Sequence, residues 1–113
     1  MSKAQQLHQQ AMSKASEAIA AQSSGDYDRY LQLTKEALEK EKAAAWLLFQ
    51  KIDLEPTRSV LFRSAAQLAF NCHKIREAEQ LISAALAGNP PIEILNELRV
   101  LYREVLKSLE VVA

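Results

Sequence analysis

Residues 55–91, EPTRSVLFRSAAQLAFNCHKIREAEQLISAALAGNPP, decide the fold. Pro56 and Pro90 stand thirty-four positions apart, and each follows the end of an apolar-periodic run. A proline ring fixes φ and removes an N–H, so prolines mark helix joints and not helix interiors. Between them, Val60, Leu61, Phe62, Ala65, Ala66, Leu68, Ala69 and Phe70 recur at helical spacing, and this run ends around Asn71 to Lys74. A second stripe of Ile75, Ala78, Leu81, Ile82 and Ala85 follows almost at once and runs to about Ala87. Gly88-Asn89-Pro90-Pro91 then closes it. The stretch reads as a helical hairpin with a joint at either end.

The same reading extends outward. A helix from about Lys3 to Gln22 carries the stripe Ala4, Leu7, Ala11, Ala15, Ala18 and Ile19, which is mostly alanine and buries little area. Gly25 suits a left-handed C-terminal cap and Asp26 an N-terminal one. No break signal follows until Asp53, so the spacing predicts one helix of roughly 26 residues, about 39 Å long. A degenerate repeat breaking near Glu39 is the alternative. The face Tyr27, Tyr30, Leu31, Thr34, Ala37 and Leu38 is apolar, and Ala43 to Phe49 is apolar all round, so it needs cover on every side. Pro56 is expected near the first position of the third helix. The fifth helix, Ile92 to about Leu109, presents Ile94, Leu95, Leu98, Leu101, Tyr102, Val105 and Leu109.

Composition bounds the function. The 113 residues suit one domain with a modest core. Lys plus Arg and Asp plus Glu number 14 each, and this balance argues against nucleic acid, whose binding needs surplus cations to displace counterions. One cysteine and an N-terminus without an apolar signal core point to a cytoplasmic setting, and seven consecutive apolar residues are too few for a membrane span. No alternating Val/Ile/Thr run suggests a strand.

Residues 59–92 resemble one tetratricopeptide repeat, whose consensus sets Trp, Leu, Gly and Tyr on one helix against Ala, an aromatic and Pro on the next. Phe62, Ala65, Ala66 and Ala69 take the first four positions, and Ala78, Ile82 and Pro90 the last three. Upstream, Gly25-Asp26-Tyr27 is similar to the turn inside such a repeat and Leu54-Glu55-Pro56 to its end. The resemblance implies close packing at Ala66 and Ala78. It also implies a concave groove along the third helix where Arg63, Gln67 and Asn71 meet a peptide, with Arg99 and Arg103 extending a positive lining.

Little here suggests catalysis. Cys72-His73 lacks further metal ligands, and adjacent helical residues diverge by about 100°. His8 reads as a solvated residue among glutamines, and Glu36, Glu39 and Glu41, interleaved with lysines, read as an exposed helix face supported by i,i+4 pairs. No catalytic, metal or cofactor residues are assigned.

The expectation is therefore an all-α domain of about five stacked antiparallel hairpin helices. It comprises a long hairpin over 1–53, a tetratricopeptide-like unit over 56–90 and a capping helix over 91–111. Its expected role is non-catalytic binding of a protein or peptide, with no cofactor, nucleic acid or membrane involved. The alternative is a structural homodimer associating through Trp46, Leu47 and Phe49, where one alanine-rich helix offers too little cover.

Overall fold

The computed structural model describes residues 1–112 and is all-helical over them. Its five helices are α1 (Lys3–Ser23), α2 (Tyr27–Leu47), α3 (Thr57–Asn71), α4 (Ile75–Leu86) and α5 (Ile92–Val112). Each packs on the next in stacked hairpins, and α5 also touches α3. The resulting slab measures 41 × 40 × 20 Å, two helices thick. No helix among the described residues is long and apolar enough to cross a membrane.

Local chemistry sets the helix ends. Ser2 and Gln5 form a reciprocal capping box at α1, their side chains and backbone N–H groups exchanging bonds of 2.9 and 3.1 Å. Gly25, at φ 82°, lets the Asp26 N–H donate back to the Ala21 carbonyl and close the helix. A β-carbon there would meet nothing within 4 Å, so only the backbone angle requires glycine. Asp26 then accepts from the Arg29 N–H at 3.1 Å and caps α2. The end of α3 uses the same closure without glycine: His73 adopts φ 66°, and the Lys74 N–H donates to the Ala69 carbonyl at 2.8 Å.

Pro56 occupies the N-cap of α3, one position before its expected place, and offers no side-chain bond there. Glu55 does the capping instead. Its carboxylate accepts from the Ser59 N–H at 3.1 Å and from the Ser59 hydroxyl, placing negative charge at the positive end of α3.

Two expectations are corrected. The second helix does not run on to Asp53, because α2 stops at Leu47. Leu48 and Phe49 donate to Ala45 and Trp46 in a tightened last turn, and Phe49 leaves the helix axis to pack against Phe62, with ring centroids 6.2 Å apart. Tertiary packing of that ring ends the helix where no local breaker exists. Ile19, read as part of the α1 stripe, is 62% exposed. Ala18 and Ala21 take the buried side there, in a small cluster with Leu33 that stands apart from the main core.

The main core runs through all five helices, α1 contributing Leu7, with Ala66 and Ala78 completely buried where α3 meets α4. One charged residue organises it. Arg58, fully buried, donates from Nε to the Phe49 carbonyl at 2.9 Å, and its two terminal nitrogens donate to Ala84 and Ala85 at 2.8 and 3.3 Å. Its guanidinium also lies 5.4 and 5.1 Å from the Phe49 and Phe62 ring centroids. Neither α2 nor α4 has a basic residue in its own last turn. Arg58 supplies the cation that the carbonyl ends of both helices need.

Candidate functional site

The groove lies between α3 and α5. Arg63, Ser64, Gln67, Leu68 and Phe70 line it from α3, and Asn96, Glu97, Val100, Leu101 and Glu104 from α5. Both sets recur every three or four residues, so each lies along a single helix face. Leu68 and Leu101 are buried at its base, Phe70 is half-buried, and Val100 stays 58% exposed. The open space amounts to about 660 Å³. Apolar surface thus remains uncovered between two rigid elements, with the amides of Gln67 and Asn96 at its edges.

The electrostatics differ from the positive lining expected. Arg63 forms an ion pair with Glu97 across the groove. Gln67 donates to Asn71 at 2.8 Å, which ties Asn71 to the lining residues. Arg99 and Arg103 lie outside the lining altogether. At 100° per residue they sit roughly a third and a quarter of a turn around α5 from the face that Glu97, Val100 and Glu104 present. Within the lining the single cation Arg63 faces two carboxylates, Glu97 and Glu104, so the groove is slightly negative, with Lys107 lying 3.5 Å from Glu104 outside it.

The Trp46 region is only partly exposed. The Trp46 ring packs edge-on to Phe62 at 5.0 Å and tilted against Phe49 at 5.2 Å. Even so, Trp46 remains 45% and Leu47 49% exposed, beside Ile52 and Leu54 at 46% and 43%. Leu48, between them, is buried.

Cys72 and His73 diverge. The Cys72 thiol is buried and donates to the Ala69 carbonyl at 3.6 Å. His73 points outward, its Nε2 3.1 Å from the Tyr27 hydroxyl. Burial raises the Cys72 pKa above the ordinary thiol value, and the nearby Lys74 only partly opposes it. Above about pH 9 the unfolded thiol ionises before the folded one, so stability falls as pH rises towards the folded value. Denaturant melts between pH 8 and 10.5 are expected to show a steeper alkaline loss for the native chain than for Cys72→Ala, and equal slopes would refute the buried-thiol account.

Besides Arg58, Glu41 and His8 depart from expectation. Glu41 is fully buried and not on an exposed face, and His8 is not merely solvated. His8 Nδ1 lies 2.9 and 3.0 Å from the two Glu41 oxygens, linking α1 to α2. The register held the signal: His8 falls in step with Ala4, Ala11 and Ala15, and Glu41 with Ala37, Leu38, Ala44 and Leu48. A polar residue at an apolar stripe position implies a buried partner.

Among the described residues, no group of three His, Cys, Asp or Glu side chains is placed to hold a metal ion. Comparison with family models, curated proteins and solved structures finds no match for the chain.

Proposed function

We propose that this chain is a tetratricopeptide-like, non-catalytic interaction module that holds a protein segment in the groove between α3 and α5. The observation that supports the reading is the apolar strip of half-buried Phe70 and exposed Val100 on two packed helices, bordered by the side-chain amides of Gln67 and Asn96. A segment laid there buries apolar side chains on the strip and satisfies its backbone groups through Gln67 and Asn96. Arg63 already has a carboxylate partner, so recognition rests on apolar and amide contacts more than on capture of an acidic peptide.

Val100→Arg fills the groove at an exposed position and should leave the fold intact, because surface substitutions stay within about 0.5 kcal/mol. Affinity capture with the intact chain is expected to lose its specific partners with Val100→Arg and to retain them with Arg103→Glu. Recovery of the same proteins by both variants would exclude the groove.

A second reading is favoured by the exposed cluster of Trp46, Leu47, Ile52 and Leu54. A symmetric homodimer covering it would bury a contiguous apolar patch. Light scattering at micromolar concentration would then give twice the 12.7 kDa chain mass. Trp46→Asp would restore the monomer, and a native monomer at that concentration ends this reading.

A further inference from the structure

Helix α5 carries two stripes of core-forming side chains, and the fold covers only one of them fully. Ile94, Leu98, Leu101 and Val105 turn inward, the last three buried and Ile94 packed against the core. Ile92, Leu95, Arg99, Tyr102, Leu106 and Leu109 form the other stripe, alternately three and four residues apart. That spacing is a heptad seam, with Ile92, Arg99 and Leu106 at its a positions and Leu95, Tyr102 and Leu109 at its d positions. At 100° per residue, the seam lies roughly 100° around the helix from the inward stripe. Its d side chains are half-buried, whereas Ile92 and Leu106 are 59% and 39% exposed and Arg99 is exposed.

Nothing among the described residues covers that seam. The first four helices pair as hairpins, while α5 packs on α4 and α3 from one side. A helix that is apolar on two sides needs cover on two sides.

The arginine inside the seam selects the cover. A charged a-position residue costs stability unless the facing residue accepts its charge, and so it fixes register and orientation. Arg63 and Arg76 are the arginines in ion pairs among the described residues, which leaves the Arg99 guanidinium free. Against a second, parallel α5, a positions face a positions, and two Arg99 side chains would repel. In the antiparallel arrangement a faces d. Ile92 then meets the partner's Leu109, Leu95 the partner's Leu106, and Arg99 the partner's Tyr102. Two symmetric layers at the centre set a guanidinium over a phenol ring, with apolar layers on either side. A two-fold axis repeats every one of these contacts, so the seam is complementary to itself. On its open flank Arg103 comes level with the partner's Asn96, which keeps the two Arg103 side chains apart. The seam is short for a free coiled coil. However, α5 is already folded against α3 and α4, so association does not have to nucleate the helix.

We propose that a second copy of this chain docks antiparallel on the outer flank of α5, with Arg99 of each protomer over the Tyr102 ring of the other. The groove face of α5, at Glu97, Val100 and Glu104, lies roughly 160° around the helix from the seam, so the dimer leaves both grooves open. This association is distinct from one through Trp46, and it does not depend on what the groove binds.

Sedimentation equilibrium of the full chain at micromolar concentration is expected to give twice the 12.7 kDa chain mass. Leu106→Glu, at an exposed position, sets a carboxylate against the partner's Leu95 and should weaken the dimer about tenfold or more. Arg99→Glu removes the cation from both central layers and should weaken it too, while Trp46→Asp leaves the dimer intact. Circular dichroism should show native helix content in all three variants. Orientation is read by cysteine cross-linking. A mildly oxidised mixture of Leu95→Cys and Leu106→Cys chains should form a covalent dimer that neither variant forms alone, because the native Cys72 is buried. A native chain that sediments as a monomer, or a dimer that survives Leu106→Glu and Arg99→Glu, would overturn the proposal. Cross-linking that is equally efficient in either single-variant sample would also overturn it.

Discussion

Arg58→Ala is expected to cost about 4 kcal/mol, because three backbone carbonyls lose their donor and a cavity replaces the side chain. That is a large share of the roughly 5–15 kcal/mol that holds a domain together. The Phe49 and Ala84 carbonyls depend on the guanidinium, whereas Ala85 also accepts from the Gly88 N–H at 3.1 Å. Arg58→Lys keeps the charge, yet one ammonium cannot span carbonyls on two helix ends, so it should recover less than half of the loss. Urea unfolding measures both, and a loss under about 1 kcal/mol for Arg58→Ala would show that water replaces the guanidinium easily.

Gly88 belongs to the same arrangement. A β-carbon built on it would lie 2.2 Å from one terminal nitrogen of Arg58. A free arginine would swing aside, but this one is fixed by three carbonyls and two aromatic rings. Gly88→Ala should therefore cost about 1–3 kcal/mol, the usual range for overpacking. In an Arg58→Ala background the same change should cost almost nothing, and that double-mutant cycle isolates the contact. Gly88 is required for space, whereas Gly25 is required for its backbone angle.

His8→Ala carries the second large effect. It leaves the Glu41 carboxylate buried with no donor, at an expected cost of about 2–4 kcal/mol, moderated because the His8 side is 37% exposed and admits water. Glu41→Gln should cost less, since a neutral amide tolerates burial better and can still bond to the imidazole. The double change His8→Leu with Glu41→Leu should return close to native stability, because a well-packed apolar pair replaces a buried polar one without desolvation loss. Thermal melts of the three variants decide the matter. If His8→Ala melts with the native chain, Glu41 is not confined as the structure places it.

Much of the architecture was legible from local chemistry. The turn at Gly25-Asp26 and the joint at Gly88 to Pro91 lie where backbone angle, capping and a missing N–H require them. The helices beginning at Lys3, Tyr27, Ile75 and Ile92 start at the residues expected. Arg63 and Gln67 lie on the lining of the cleft between α3 and α5, because three-and-four spacing along α3 fixes its face once the apolar stripe is known, whereas Arg99 and Arg103 lie outside it. The apolar stripe of α5 defines its inward side, but which flank of that stripe meets α3 depends on how α5 is rotated against two other helices.

What the sequence by itself determined is the number of helices, the joints at Gly25-Asp26, Cys72–Lys74 and Gly88–Pro91, and their all-α packing, since capping, periodicity and proline act within one or two turns. Only the tertiary structure decided that α2 stops at Leu47, which partners Arg58 and Glu41 meet inside, and that the groove is not positively lined. Each of these depends on a partner distant in the chain. Arg58 reaches groups nine to twenty-seven positions away, and His8 meets Glu41 across thirty-three. A buried charge is stable only when such a partner arrives, and a stripe position can mark the burial without naming the partner.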